Sequence, residues 1–197
     1  MKQEERVKRS TQRILQHAFM EFSSRGYADS SVNTICATGN ISKGTLYHYF
    51  PDKDTLYLTC VRQCFEDLLA FLSSHYEPDH MSAEDYFRLR LSFFQQYPYY
   101  PGILFDVSAY PQRHLAQQLH EIRQPFDAFN ISCMRTILSR ETLAPGLSMD
   151  DAIQLFRSFL DFFGFYLRDP KTARQFDEDS KRMLYTILFG IIARPEQ

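Results

Sequence analysis

Apolar residues recur at spacings of three and four along nearly the whole chain, and no stretch of more than a few residues alternates as a half-buried strand would. The pattern predicts an all-α protein. A first helix is expected from about Ser10 to Ser24, with Ile14, Leu15, Ala18, Phe19 and Phe22 as its apolar stripe and Gly26 as its stop. Ser30 and Ser31 can cap a short helix from Val32 to about Thr38 that turns Val32, Ile35 and Cys36 inward. Gly39-Asn40-Ile41 then reads as a tight turn, because glycine and asparagine accept a left-handed backbone most readily. Ser42 caps a third helix that runs to Phe50 and is ended by Pro51.

Asp52 is placed to cap a long fourth helix, Lys53 to about His75, in which Leu58, Val61, Phe65, Leu68 and Leu72 repeat at helical spacing. Beyond it the pattern predicts helices from about Ser82 to Tyr97, broken by Pro98 and Pro101-Gly102, and from Ile103 to Ala109, closed by Pro111. A further helix from Gln112 to Glu141 contains Pro125, which predicts a kink or a break. The last two helices are expected at Met149–Arg168 and Thr172–Arg194. The first of these carries Phe156, Phe159, Leu160, Phe162, Phe163, Phe165, Tyr166 and Leu167 and is left with almost no polar face. A second copy of the chain would cover such a surface, so the last two helices are expected to form a homodimer through a four-helix interface.

The chain has 197 residues, of which 44% are hydrophobic and 23% charged, which removes disordered, collagen-like and disulfide-scaffold classes. Its longest apolar run, Ile187–Ala193, falls far short of the roughly 20 residues of a membrane span. The charged start, Met1 to Ser10, lacks the apolar segment of a secretory signal, so a cytoplasmic protein without membrane association is expected. Cys36, Cys60, Cys64 and Cys133 suit reduced, buried thiols, and neither they nor His114 and His120 have metal-ligand spacing, so no metal or cofactor is expected. No nucleophile, base and orienting group stand at readable spacing, which argues against an enzyme. The net charge of −2 is unevenly spread: residues 1–50 carry seven Lys and Arg against four Asp and Glu, a local charge of +3. A net acidic remainder fits poorly with wrapping of nucleic acid.

Residues 31–50 have the organisation of a helix-turn-helix, whose second helix enters the major groove of DNA. In Ser42-Lys43-Gly44-Thr45-Leu46-Tyr47-His48-Tyr49-Phe50, Leu46 and Phe50 are four apart and suited to face inward. Gly44 allows close backbone approach, and Thr45 offers a hydroxyl and a methyl to base edges. Lys43, Tyr47 and His48 can reach phosphates, with Lys53 adding a cation at the start of the next helix. Ser31, Thr34 and Ser42 complete the expected DNA-binding set. The arm of Arg6, Lys8, Arg9 and Arg13 suits sequence-blind attraction.

These residues also carry a family resemblance. Arg13-Ile14-Leu15, Ala18, Phe22, Gly26-Tyr27, Val32, Ile35, Ile41 through Phe50 and Lys53-Asp54-Thr55-Leu56 closely resemble the N-terminal domain of TetR/AcrR transcriptional regulators. Cys36 and Gly39 stand where alanine is usual, and Asn40 replaces the customary turn glycine. The resemblance implies a three-helix DNA-binding domain over residues 1–54 and a helical effector-binding and dimerisation domain over residues 55–197. It further implies a dimeric repressor released from a palindromic double-stranded DNA operator by a small molecule. The alternative is a helical small-molecule-binding protein, or an activator, with the same fold.

Six of the 30 aromatic residues lie in residues 1–54, leaving 24 in the remainder. Such a surplus suits a cavity for an apolar or aromatic effector. The candidate lining is Phe94, Tyr97, Tyr100, Phe105, Tyr110, Phe126, Phe129, Phe156 and Phe163. Gly39 to Thr45 approaches a phosphate-binding loop in spelling but lacks the lysine after Gly44 and a preceding strand.

Overall fold

Local capping chemistry sets most of the helix starts in the computed structural model, which describes residues 3–167 and positions 182, 186 and 190. Among these residues every regular element is helical. Helix α1 (Gln3–Asp29) begins earlier than the apolar stripe predicts and is interrupted at Gly26, whose φ of 70° and ψ of 179° end the regular helix where the sequence places its stop. Helix α2 (Val32–Gly39) is capped by Ser31, α3 (Lys43–Tyr49) by Ser42, and α4 (Lys53–His75) by Asp52, each side chain accepting a backbone N–H of the first turn. Ser82 and Asp85 form a reciprocal capping box at the start of α5 (Ala83–Gln96).

The later boundaries differ from expectation at the prolines. Helix α6 spans Tyr100–Ala109, so Pro101 opens a helix instead of breaking one; proline has no N–H to lose in a first turn. Residues Arg113–Leu115 form a short 3-10 turn, and α7 (Ala116–Leu138) runs without interruption through Pro125. Pro125 lies ten residues into α7, yet the helix continues, held by Leu119, Ile122 and Phe126 on its buried face. Helix α8 covers Met149–Tyr166. The predicted final helix, Thr172–Arg194, lies outside the described residues apart from positions 182, 186 and 190.

One continuous core joins the two halves. Ile14, Ala18 and Phe22 of α1 pack with Leu46 of α3 and with Leu56, Tyr57 and Cys60 of α4, while Leu68 and Leu72 carry the same core toward α5 and α7. Helix α6 lies against α1, and Gly102 makes that approach possible: a Cβ there would fall 2.4 Å from the Ser23 carbonyl oxygen. Phe156, Phe159 and Leu160 of α8 are buried within the subunit, whereas Asp151, Gln154 and Ser158 face outward with Leu155. The start of α8 therefore has a polar face that the run of phenylalanines in its second half had obscured.

Candidate nucleic-acid interface

The turn between α2 and α3 is built from local hydrogen bonds. Asn40 adopts the left-handed conformation at φ 48° and ψ 51°, which lets the Ile41 amide donate to the Cys36 carbonyl at 2.9 Å. Gly39 packs closely: a Cβ would lie 2.5 Å from the tip of the Ile41 side chain, Cδ1, and 3.1 Å from His17 Cδ2. The Ser31 amide donates to Glu21 Oε1 at 2.9 Å, fixing the start of α2 to α1.

Leu46, fully buried, and Phe50, 5% exposed, hold α3 against the core. That anchoring turns Ser42, Lys43, Gly44, Thr45, Tyr47 and His48 to solvent, as the inward spacing of Leu46 and Phe50 predicts. Ser42 Oγ accepts the Thr45 amide at 3.0 Å and lies 2.7 Å from the Thr45 hydroxyl, so the first turn of α3 is ordered from within. Tyr47 stands out with 46% of its surface exposed. A Cβ on Gly44 would have no neighbour nearer than Ser42 Oγ at 3.9 Å, so packing within the chain does not demand a glycine there. Ser31 and Thr34 are half-buried at the front of α2.

A groove of about 990 Å³ runs between the first turns of α1 and the exposed side of α3, lined by Arg6, Val7 and Ser10 and by Gly44, Thr45 and His48. The arm and the third helix thus share one concave surface, a juxtaposition the sequence did not disclose. Lys53 behaves differently from the expectation of a free phosphate-binding cation. Its ammonium donates to the Ser30 carbonyl at 2.8 Å and sits 4.4 Å from the centre of the Tyr27 ring. Burial lowers its pKa, opposed by Asp54, Asp29, Glu21 and Asp106. Tyr27 in turn donates to Asp54, and burial together with that carboxylate pushes its pKa up to about 12.

The nine aromatic candidates for an effector site are dispersed. Phe94, Phe126 and Phe156 are buried, Phe105 and Phe129 are half-buried, and Tyr110 is 65% exposed. The side chain of Phe163 lies outside the described residues. Tyr97 and Tyr100 meet in a cleft of about 390 Å³ between α1 and the α5–α6 junction, with Phe19, Gln12 and Gln16 opposite. Absent from the candidate set is Arg90 of α5, which is 5% exposed and lies between Phe94 and Phe126.

A family model described as bacterial regulatory proteins, tetR family, matches residues 14–60, the stretch from the core of α1 through the first two turns of α4. Residues 14–60 carry a likeness to the tetR family. Among curated relatives, the chain is 33% identical over 87 residues to the HTH-type transcriptional regulator RutR of Escherichia coli K12, covering 43% of the chain and 41% of RutR. It is 24% identical over 113 residues to the biofilm operon icaADBC HTH-type negative transcriptional regulator IcaR of Staphylococcus epidermidis, covering 57% of the chain and 60% of IcaR. The matched stretch thus spans about two fifths to three fifths of these relatives. The fold likeness extends further: a TetR family transcriptional regulator from Chloroflexus aurantiacus superposes with a TM-score of 0.67 at 20% identity over 95% of both chains.

Proposed function

We propose that this chain is a sequence-specific DNA-binding regulator of transcription, in which α3 lies in the major groove and a second subunit presents its own α3 to the other half of a palindromic operator. The observation that carries the reading is the division of α3 into a buried anchor, Leu46 and Phe50, and an exposed set, Lys43, Gly44, Thr45, Tyr47 and His48, beside the Arg6 arm. Lys43 and Tyr47 reach phosphates, Thr45 meets base edges, and Gly44 leaves room for the duplex where packing within the chain imposes no need for a glycine. The likeness of residues 14–60 to the tetR family and the negative regulator IcaR among the relatives favour repression.

The residues up to about 54 act as the DNA-binding domain and residues 55–197 as the effector-binding and dimerisation domain, with α4 shared by both. Dimerisation uses the last two predicted helices. A small-molecule effector bound among the helices of the second domain alters the separation of the two α3 helices and lowers operator affinity. Selection of bound fragments from the host genome tests this reading. The expected outcome is enrichment of a palindrome whose half-sites are roughly 34–36 Å apart or a multiple of that. Failure to enrich any duplex at low ionic strength would overturn it.

A further inference from the structure

Two arginines of residues 55–197 are withdrawn from solvent, and they are treated in opposite ways. Arg123 of α7 bonds Asp127 at 2.9 Å, Asp161 at 2.7 Å and the Ser108 hydroxyl at 2.7 Å. Its charge is fully compensated. Arg90 of α5 is 5% exposed, and no carboxylate among the described residues pairs with it. Its Nη1 is buried without a hydrogen-bond partner among the described residues. Its guanidinium carbon lies 5.4 Å from the centre of the Phe126 ring and 6.0 Å from that of Phe94.

An arginine keeps its charge wherever it sits, and a buried, uncompensated charge is among the costliest arrangements a core can contain. Aromatic faces offset part of that cost but supply no acceptor for the N–H groups at the guanidinium edge. Tyr86 stands beside it. The Tyr86 hydroxyl donates to Asn130 Oδ1 at 2.6 Å, and burial raises its pKa against the opposing charge of Arg90 and a hydrogen bond with the Arg90 side chain. The result is a cation held by rings on its sides and bonded to Tyr86, with one donor at its edge, Nη1, left unpartnered among the described residues. A carboxylate matches that edge in charge and in planar, two-pronged geometry.

We propose that Arg90 is the counter-ion of a carboxylate-bearing effector whose apolar or aromatic body packs against Phe94 and Phe126. The inference rests on the effector-binding role assigned above to residues 55–197, and it narrows the effector from an apolar or aromatic compound to an organic anion. It also supplies a physical reason for retaining a buried cation: the guanidinium has no carboxylate partner among the described residues, and the ligand provides one.

Calorimetric titration and thermal melting of the full chain, without DNA, test the inference with benzoate and octanoate as probes and benzyl alcohol and octanol as neutral counterparts. The carboxylates are expected to bind and raise the melting temperature, and the alcohols to do neither. Arg90→Met, which keeps volume and removes charge, is expected to weaken carboxylate binding by about tenfold or more while raising the melting temperature of the ligand-free protein. Arg90→Lys, which keeps the charge and loses the fork, is expected to fall between the two. Equal binding of acids and alcohols to the wild-type chain would overturn the proposal. So would equal carboxylate binding by wild type and Arg90→Lys together with a lower melting temperature for both variants, the signature of a purely structural arginine. Operator binding by Arg90→Met, measured separately, is expected to be retained. Its loss together with that of the wild type would indict the regulatory reading, whereas its retention without carboxylate binding by the wild type would indict the anion site alone.

Discussion

Asp106 of α6 accepts the backbone amide of Tyr27 at 3.0 Å, joining residues 79 positions apart in the chain. The same carboxylate oxygen accepts the Tyr57 hydroxyl of α4 at 2.8 Å. The amide belongs to the residue after Gly26, where the backbone leaves the helix, so one buried side chain from the second half of the protein closes the end of α1 and holds α4 beside it. Gly26 fits this arrangement twice over: its φ is positive, and a Cβ would lie 2.5 Å from Asp106 Oδ1. Asp106→Ala is expected to cost about 1–3 kcal/mol, because it strands a buried N–H and a buried hydroxyl. Gly26→Ala adds left-handed strain of about 1–2 kcal/mol to a collision with the carboxylate. Urea denaturation of both variants measures these losses.

Two glycines should respond in opposite ways to alanine. At Gly102 a methyl group meets the Ser23 backbone oxygen at 2.4 Å, and backbone cannot rotate aside, so Gly102→Ala is expected to destabilise by about 1–3 kcal/mol. At Gly44 there is open space, and Gly44→Ala is expected to leave the melting temperature unchanged or slightly raised while weakening operator binding. A melting curve and a gel-shift titration on each variant separate the two effects.

The DNA reading makes a distinction between cations. Lys43 is exposed, and Lys43→Ala is expected to weaken all duplexes alike and to reduce the slope of log affinity against log salt by about 1. The Lys53 ammonium is engaged by Ser30 and Tyr27, so Lys53→Met is expected to leave that slope unchanged and to reduce stability instead. Thr45→Ala is expected to alter sequence preference by about 1–3 kcal/mol at the contacted base pair. Binding titrations at several salt concentrations, on matched and single-mismatch operators, read all three.

The cap of α4 carries a pH dependence. The Thr55 backbone amide donates to Asp52 Oδ1 at 2.7 Å, and that bond lowers the Asp52 pKa below its ordinary value. A carboxyl whose folded pKa is depressed contributes stability above its unfolded value, near 3.8, and loses it as pH falls through the folded one. Asp52→Ala is therefore expected to cost about 1 kcal/mol at neutral pH. The difference from wild type should shrink on acidification through that range, as followed by thermal melts at stepped pH.

All four cysteines are buried, Cys60, Cys64 and Cys133 completely so, and burial pushes every one of their pKa values up, that of Cys133 to about 11. The folded protein is expected to resist alkylation at neutral pH and to release four reactive thiols on unfolding. Iodoacetamide labelling followed by mass spectrometry across a denaturant series checks this. Rapid labelling of Cys60 under native conditions would contradict the packing of α4.

Read from the chain alone, the capped helix starts at Ser31, Ser42 and Asp52 were legible, as were the turn at Asn40 and the inward anchor of α3. Each depends on interactions within four residues, and the physics of a first helical turn is the same in any context. The exposed side of α3 followed from the burial of Leu46 and Phe50 in the same way. What tertiary structure decided lay farther apart in sequence: the arm of Arg6 beside Thr45, the Lys53 ammonium folded over Tyr27, Asp106 closing the end of α1, and Pro125 carried inside a packed helix. Arg90 left a trace, a charge in register with Tyr86, Phe87, Leu91 and Phe94 on one face of α5, but its isolation from any carboxylate among the described residues depends on α7 as well. Local patterns determine where helices begin and which side faces inward; only packing between distant segments determines which charges find partners and which are left without one.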